Sequence, residues 1–153
     1  MATNTLIKKL YGKDETGVGE GEASQSNRRQ VETFIASAAI VAGDVLAFDL
    51  SQTSDGLKMM RVIKADTDAA TSKCFVGVAL EAAAAEGDRV DVCISGICTA
   101  LVHSGGGVGK PLMISAEGGK FQDYADNSVL SIAAHCASAV VGGVATVVVH
   151  KQF

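Results

Sequence analysis

From Val31 to the end of the chain, apolar stretches are short and are broken again and again by glycine-containing turns. That punctuation excludes long helices and favours a chain that reverses direction often, because glycine supplies the positive φ that tight turns require. Seventeen glycines stand against a single proline, Pro111, so the turns are supple and rigid kinks are few. The apolar residues are mostly Ala, Val, Ile and Leu, with no Trp and only seven Phe and Tyr together (5 and 2), so packing must come from small and β-branched groups. Such side chains suit the pleated surface of a strand. The expected fold is therefore mainly β, a compact β-barrel or β-sandwich of short antiparallel strands.

The 153 residues divide near Val31. Residues 12–30 hold Gly, Glu, Ser, Gln and Arg with almost nothing to bury, and such a segment cannot offset the entropy of ordering. Residues 1–30 thus read as an extended polar N-terminal arm, carrying a small apolar knot of Leu6, Ile7, Leu10 and Tyr11. Residues 31–153, in a chain that is 48% hydrophobic, form one β-rich domain.

Particular runs can be placed. Val45–Leu50 reads as a strand entered from the Ala42-Gly43-Asp44 turn, and Leu57–Lys64 as a second strand beyond Ser54-Asp55-Gly56. Cys74–Leu80 is a continuous apolar strand with Gly77 at its centre. Arg89–Ser95 alternates, with Val90, Val92 and Ile94 on one face, and Gly96 bends or bulges it before Ile97–Val102 continues. Lys110–Ser115, the Glu117-Gly118-Gly119-Lys120 turn and Phe121 form a hairpin. Val129–Ala137 leans toward strand, and the succession Val147-Val148-Val149 in Ala145–His150 suggests a strand covered on both faces. Cys74–Ile94 and Leu130–His150 echo each other in the order of apolar run, small-residue connector, glycine turn and Val-rich strand.

No local pattern supplies chemistry. Ser104–Pro111 superficially resembles a phosphate-binding loop, but Ser104 replaces the first glycine and Pro111 the metal-binding hydroxyl. Gly17–Gly21 lacks the strand and helix of a dinucleotide site. His103, His135 and His150 are scattered, and Cys93 and Cys98, an odd count apart, point to opposite sides of a regular strand. Cys74, Cys93, Cys98 and Cys136 are expected as reduced thiols buried as small hydrophobes. Asp44 and Asp88 each follow a glycine ahead of a strand, where a carboxylate caps a turn; Asp91 completes the set of candidate acids. No catalysis, cofactor or metal is expected. The net charge of −4 argues against nucleic acid, no run approaches the ~20 apolar residues of a membrane helix, and Met1–Lys9 lacks a secretory core, so a cytoplasmic product is expected.

Four motifs in order, Ile40-Val41-Ala42-Gly43-Asp44-Val45, Phe75–Ala83 (FVGVALEAA), Glu86–Val92 (EGDRVDV) and Ser95-Gly96-Ile97, resemble the capsid decoration, or cement, proteins of tailed bacteriophages over roughly Ile35 to His150. The resemblance implies a compact barrel or sandwich, made in the host cytoplasm and mounted as a homotrimer on the capsid exterior, where it clamps neighbouring subunits of the major capsid protein. The long arm and the number of cysteines depart from that pattern. Leu6, Ile7, Leu10, Tyr11, Arg28 and Arg29 are the expected capsid-binding residues, since an extended arm can add a strand to a partner without a preformed pocket. The alternatives are another virion component, such as a tail or head-fibre base protein, or a small β ligand-binding module; a hydrolase whose residues converge only in space comes third.

Overall fold

The computed structural model describes residues 29–67, 74–125 and 132–151. In chain order these form β1 (Arg29–Ala36), β2 (Val45–Phe48), helix α1 (Asp55–Met60), β3 (Arg61–Lys64), β4 (Phe75–Ala79), β5 (Arg89–Ser104), β6 (Pro111–Ile114), β7 (Phe121–Asp123), β8 (Ala134–Cys136) and β9 (Val144–Val149). The mainly β fold expected from the turn pattern is the fold observed. The polar loop read at Asp66–Ser72 and the stretch 126–131 fall largely or wholly outside the described residues.

The strands close on themselves twice. The pairing order β1-β3-β2-β4-β5 returns to its start because β1 also pairs with β5, and β5-β7-β6-β8-β9 returns because β9 also pairs with β5. Two five-stranded circuits therefore share the long strand β5, and closure is the one arrangement that removes exposed sheet edges outright. All pairings are antiparallel except β1–β3 and β5–β7, the corresponding step of each circuit.

The circuits match in register as well as order. Leu46 lies opposite Lys64 and Gly77 in the first, Leu112 opposite Asp123 and Ala134 in the second. Ala79 donates its N–H to the Asp44 carbonyl and Cys136 to the Lys110 carbonyl, both at 2.9 Å. Asp44 pairs with Lys64 at 3.0 Å, while Lys110 pairs with Asp123 at 3.1 Å: the same bridge with its charges exchanged. The sequence echo thus has a structural counterpart, since Val78–Cys93 on β4–β5 corresponds to His135–Val148 on β8–β9.

One core fills the first circuit, built on Phe34, Leu46, Phe48, Val62, Val92 and Ile94. The other lies inside the second circuit and continues beneath the outer faces of β2 and β4, which is why those two strands are buried throughout. Strand β5 serves both. Before Gly96, the even-numbered Val90, Val92 and Ile94 face the first core; after it, the even-numbered Cys98, Ala100 and Val102 face the second. A bulge does this: Gln30 lies opposite Ser95 but Val31 opposite Cys93, so one residue is extra, and Gly96 takes φ +101° beside it.

Several expectations are corrected. Residues 57–60, expected as the first part of a strand, belong to helix α1: Ser54 accepts the Leu57 N–H, Asp55 sits in the first turn, and Lys58 closes back on Asp55 at 2.9 Å. The strand begins only at Arg61. In β9 the alternation is regular, with Ala145, Val147 and Val149 buried but Val148 half-exposed, so one face is only partly covered. Of 129–137, the described strand is Ala134–Cys136 alone. Cys93, Cys98 and Cys136 are buried thiols as expected, whereas Cys74 is exposed.

Candidate functional site

Leu6, Ile7, Leu10, Tyr11 and Arg28 lie outside the described residues. Arg29 opens β1, opposite Gly96, and together with Gln30 it belongs to the sheet. Residues 29–33 of β1 are exposed. Strand β5 pairs along one side of β1 from Arg29 to Ile35, while β3 reaches its other side only at Ile35 and Ala36. Among the described residues, no strand pairs with that second side over Arg29–Phe34.

Two shallow grooves flank this segment. The first, of about 300 Å³, is lined by Thr33, Phe34, Ile35, Met59, Met60 and Arg89. Its floor is apolar because α1 buries none of its residues and leaves Met59 and Met60 each 56% exposed. Methionine is flexible and polarisable, a side chain that adapts to varied partner surfaces. The second groove, of about 320 Å³, runs between the circuits past Arg29, Gly43, Leu80, Thr99, Leu101 and Val144. Among the described residues, β1 and these two grooves present a concave, partly apolar surface to a partner. The sequence signal for it was the pair Met59-Met60, which a strand reading placed on opposite faces.

The candidate acids and bases are dispersed, each in a local role. Asp44 accepts the Val41 N–H and Asp88 the Ala85 N–H, at 2.8 and 2.9 Å, the turn caps expected of them. Asp91 accepts the Thr33 hydroxyl across β1–β5 at 2.6 Å. His103 meets Glu117 at 2.9 Å. His135 and His150, read as scattered, face each other across β8–β9, Nδ1 to Nε2 at 2.6 Å; burial and the neighbouring imidazole hold the His150 pKa below its ordinary value. Among the described residues, no three His, Cys, Asp or Glu are grouped to hold a metal ion.

The 105–110 loop does cradle an anion, but its own. Gly106 donates its N–H to Asp123 Oδ1 at 2.6 Å and Lys110 reaches Oδ2 at 3.1 Å. Burial alone would raise the Asp123 pKa; these two partners hold it below the usual carboxylate value. A phosphate would meet a carboxylate already in place.

No family model matches the chain, and no curated protein matches it. Among solved structures it is similar to the head fiber gp8.5 N base of bacteriophage phi29, with TM-score 0.52 and 17% identity over 80% of this chain and 94% of that one. The likeness is one of fold. At 80% of this chain it extends over more residues than either circuit alone.

Proposed function

We propose that this chain is a structural protein of a phage virion, docking on the head and performing no reaction. The observation that carries the reading is the fold shared with a head-fibre base over 94% of that protein, together with the motif resemblance to capsid decoration proteins. A pair of closed circuits, with an open sheet edge among the described residues only along the start of β1, suits a component that must persist outside a cell. In the finer form of the proposal, a homotrimer on the capsid exterior clamps neighbouring major capsid subunits, with no cofactor; many weak contacts on one particle reinforce each other through effective concentration. The arm residues Leu6, Ile7, Leu10, Tyr11 and Arg28 lie along the shell, and Arg29 begins the exposed strand from which the arm departs. Manufacture in the host cytoplasm completes this picture.

Purified full-length chain, added to isolated mature heads of its phage, should co-sediment saturably, and deletion of residues 1–28 should weaken that binding. Absence of saturable binding would contradict the proposal. A second reading, a fibre base, is favoured by the neighbour's own description as the N base of a head fiber. Electron cryomicroscopy of decorated heads separates the two: cement places its mass between capsid subunits, whereas a fibre base carries density projecting outward from its mount.

A further inference from the structure

His135 lies on β8 between the buried Ala134 and Cys136, so its side chain is turned outward. Val148 stands opposite it on β9, and His150 follows two residues further along, one position past the strand. Cross-strand neighbours on that diagonal share a face and lie within reach of long side chains. The His150 N–H is held by the Ala133 carbonyl at 2.9 Å, which fixes its backbone against β8. The two rings meet edge to face with centroids 4.8 Å apart, and His135 Nδ1 is 2.6 Å from His150 Nε2. His135 is half-buried and His150 exposed, so solvent reaches the pair. We propose that His135 and His150 chelate a divalent transition-metal ion of the nickel, copper or zinc class between these two nitrogens.

Imidazole nitrogen is a favoured ligand for such ions. A neutral imidazole has one lone-pair nitrogen and one N–H, so without metal one of the two facing nitrogens donates to the other. Metal binding moves that proton through solvent to the other nitrogen of the same ring and leaves both lone pairs aimed at one ion, with no proton gained or lost. Bonds of about 2.05 Å meeting at a right angle set two ligand nitrogens about 2.9 Å apart. The pair therefore opens by about 0.3 Å from its 2.6 Å, within the reach of side-chain rotation at a solvent-exposed position. Burial and the neighbouring imidazole hold the His150 pKa below its ordinary value, which keeps that ring neutral and able to ligate at neutral pH. Among the described residues, no third His, Cys, Asp or Glu joins the two, so water fills the remaining positions and the ion exchanges with solution. Strand register already holds the ligands together, and the second nitrogen therefore binds at the high effective concentration of a fixed pair. His103 offers an internal contrast: it meets Glu117 Oε2, the same oxygen that Lys120 occupies at 2.8 Å. Chelation at His135 and His150 requires neither a head nor a partner.

The test uses the full chain without a histidine tag, labelled with nitrogen-15 and titrated with nickel(II) chloride near neutral pH. Paramagnetic broadening should appear first at the amides of Ala134–Cys136 and Val148–Lys151, and titration calorimetry should give one ion per chain. His135→Gln and His150→Gln should each weaken nickel binding about tenfold or more, since either leaves a single imidazole. The double variant should lose little beyond either single one, and His103→Gln should leave binding unchanged. Should a variant fail to fold, the broadening pattern of the wild-type chain decides. Absence of binding, broadening centred anywhere else in the chain, or a single-histidine variant that binds nickel as tightly as the wild type would overturn the assignment.

Discussion

Between β2 and β3 the chain runs through residues 49–60 and builds α1, whereas the matching step of the second circuit, between β6 and β7, turns within residues 115–120. Both connections begin with the same device. An Asp49 carboxylate oxygen accepts the Ser51 N–H, and the Ser115 hydroxyl accepts the Glu117 N–H, each at 3.1 Å. Both residues are buried, and both donate backbone N–H groups across the turn, to Arg61 and Lys120. The circuit itself therefore needs only the short turn. Helix α1 is an addition that brings nothing to the core and leaves two methionines exposed, so its contribution belongs to the surface of the protein and not to its stability.

Substitutions at matched positions probe that comparison. The largest effect is expected at Gly77, where an added Cβ would lie 2.3 Å from the Cys93 carbonyl oxygen and 2.8 Å from Val92 Cγ1. Its counterpart Ala134 already carries a Cβ and is fully buried. Gly77→Ala should cost about 3 kcal/mol or prevent folding, the penalty of overpacking against backbone, while Ala134→Gly should cost about 1 kcal/mol. Denaturant unfolding of both variants measures the contrast; equal costs would show that the two circuits pack alike at this point.

Next come the turn caps. Burial raises the Asp49 pKa, but hydrogen bonds from the Ser51 hydroxyl and N–H and from Gln52, with Ser37 alongside, outweigh it and lower the value to about 2 from 3.8. The folded state thus holds this proton less tightly than the unfolded chain, and the stabilisation is present above pH 3.8 and lost as pH falls toward 2. That difference corresponds to about 2 kcal/mol. Asp49→Asn should remove most of it and flatten the acid limb, whereas Ser115→Ala should cost about 1 kcal/mol with no change in acid sensitivity.

A smaller asymmetry resides in the second circuit, where His135 and His150 occupy the places of Val78 and Ser95. The His150 pKa is lowered on folding, so the unfolded chain binds the proton more readily. Stability should be complete above pH 6.5 and decline as pH falls from there through the lower folded value. His135→Val should reduce that decline, read as melting temperature against pH. The smallest effect is expected for Met59→Ser with Met60→Ser, within about 0.5 kcal/mol; a larger loss would make α1 a structural element after all.

Much of this was legible in the chain itself, for identifiable reasons. Val90, Val92 and Ile94 alternate strictly, Gly96 interrupts them, and Glu117-Gly118-Gly119-Lys120 can hardly be anything but a turn. The caps at Asp44 and Asp88 followed from their position after glycine. Residues 55–60 misled because an isolated helix so short has almost no periodic signal, and the Ser54-Asp55-Gly56 turn that reads as a reversal also reads as an N-cap. The entry of Cys93 and Cys98 into one core, and the meeting of His135 with His150, were hidden for a different reason. Both depend on register, one on a bulge that shifts parity and one on the pairing of strands brought together by a turn, and neither is encoded locally. Closure into two circuits depends likewise on which strands return to β5.

The claim on which the comparison rests is that β5 is one strand belonging to both circuits. A nuclear Overhauser spectrum of the isotope-labelled full chain at concentrations where it is monomeric tests this directly, through contacts on either side of Gly96. Cross-strand contacts of Val90 with Phe34 and of Ala100 with Ala145 are expected within the same molecule. Contacts to β1 without contacts to β9, or a break in extended structure at Gly96 that separates the two sets, would contradict it.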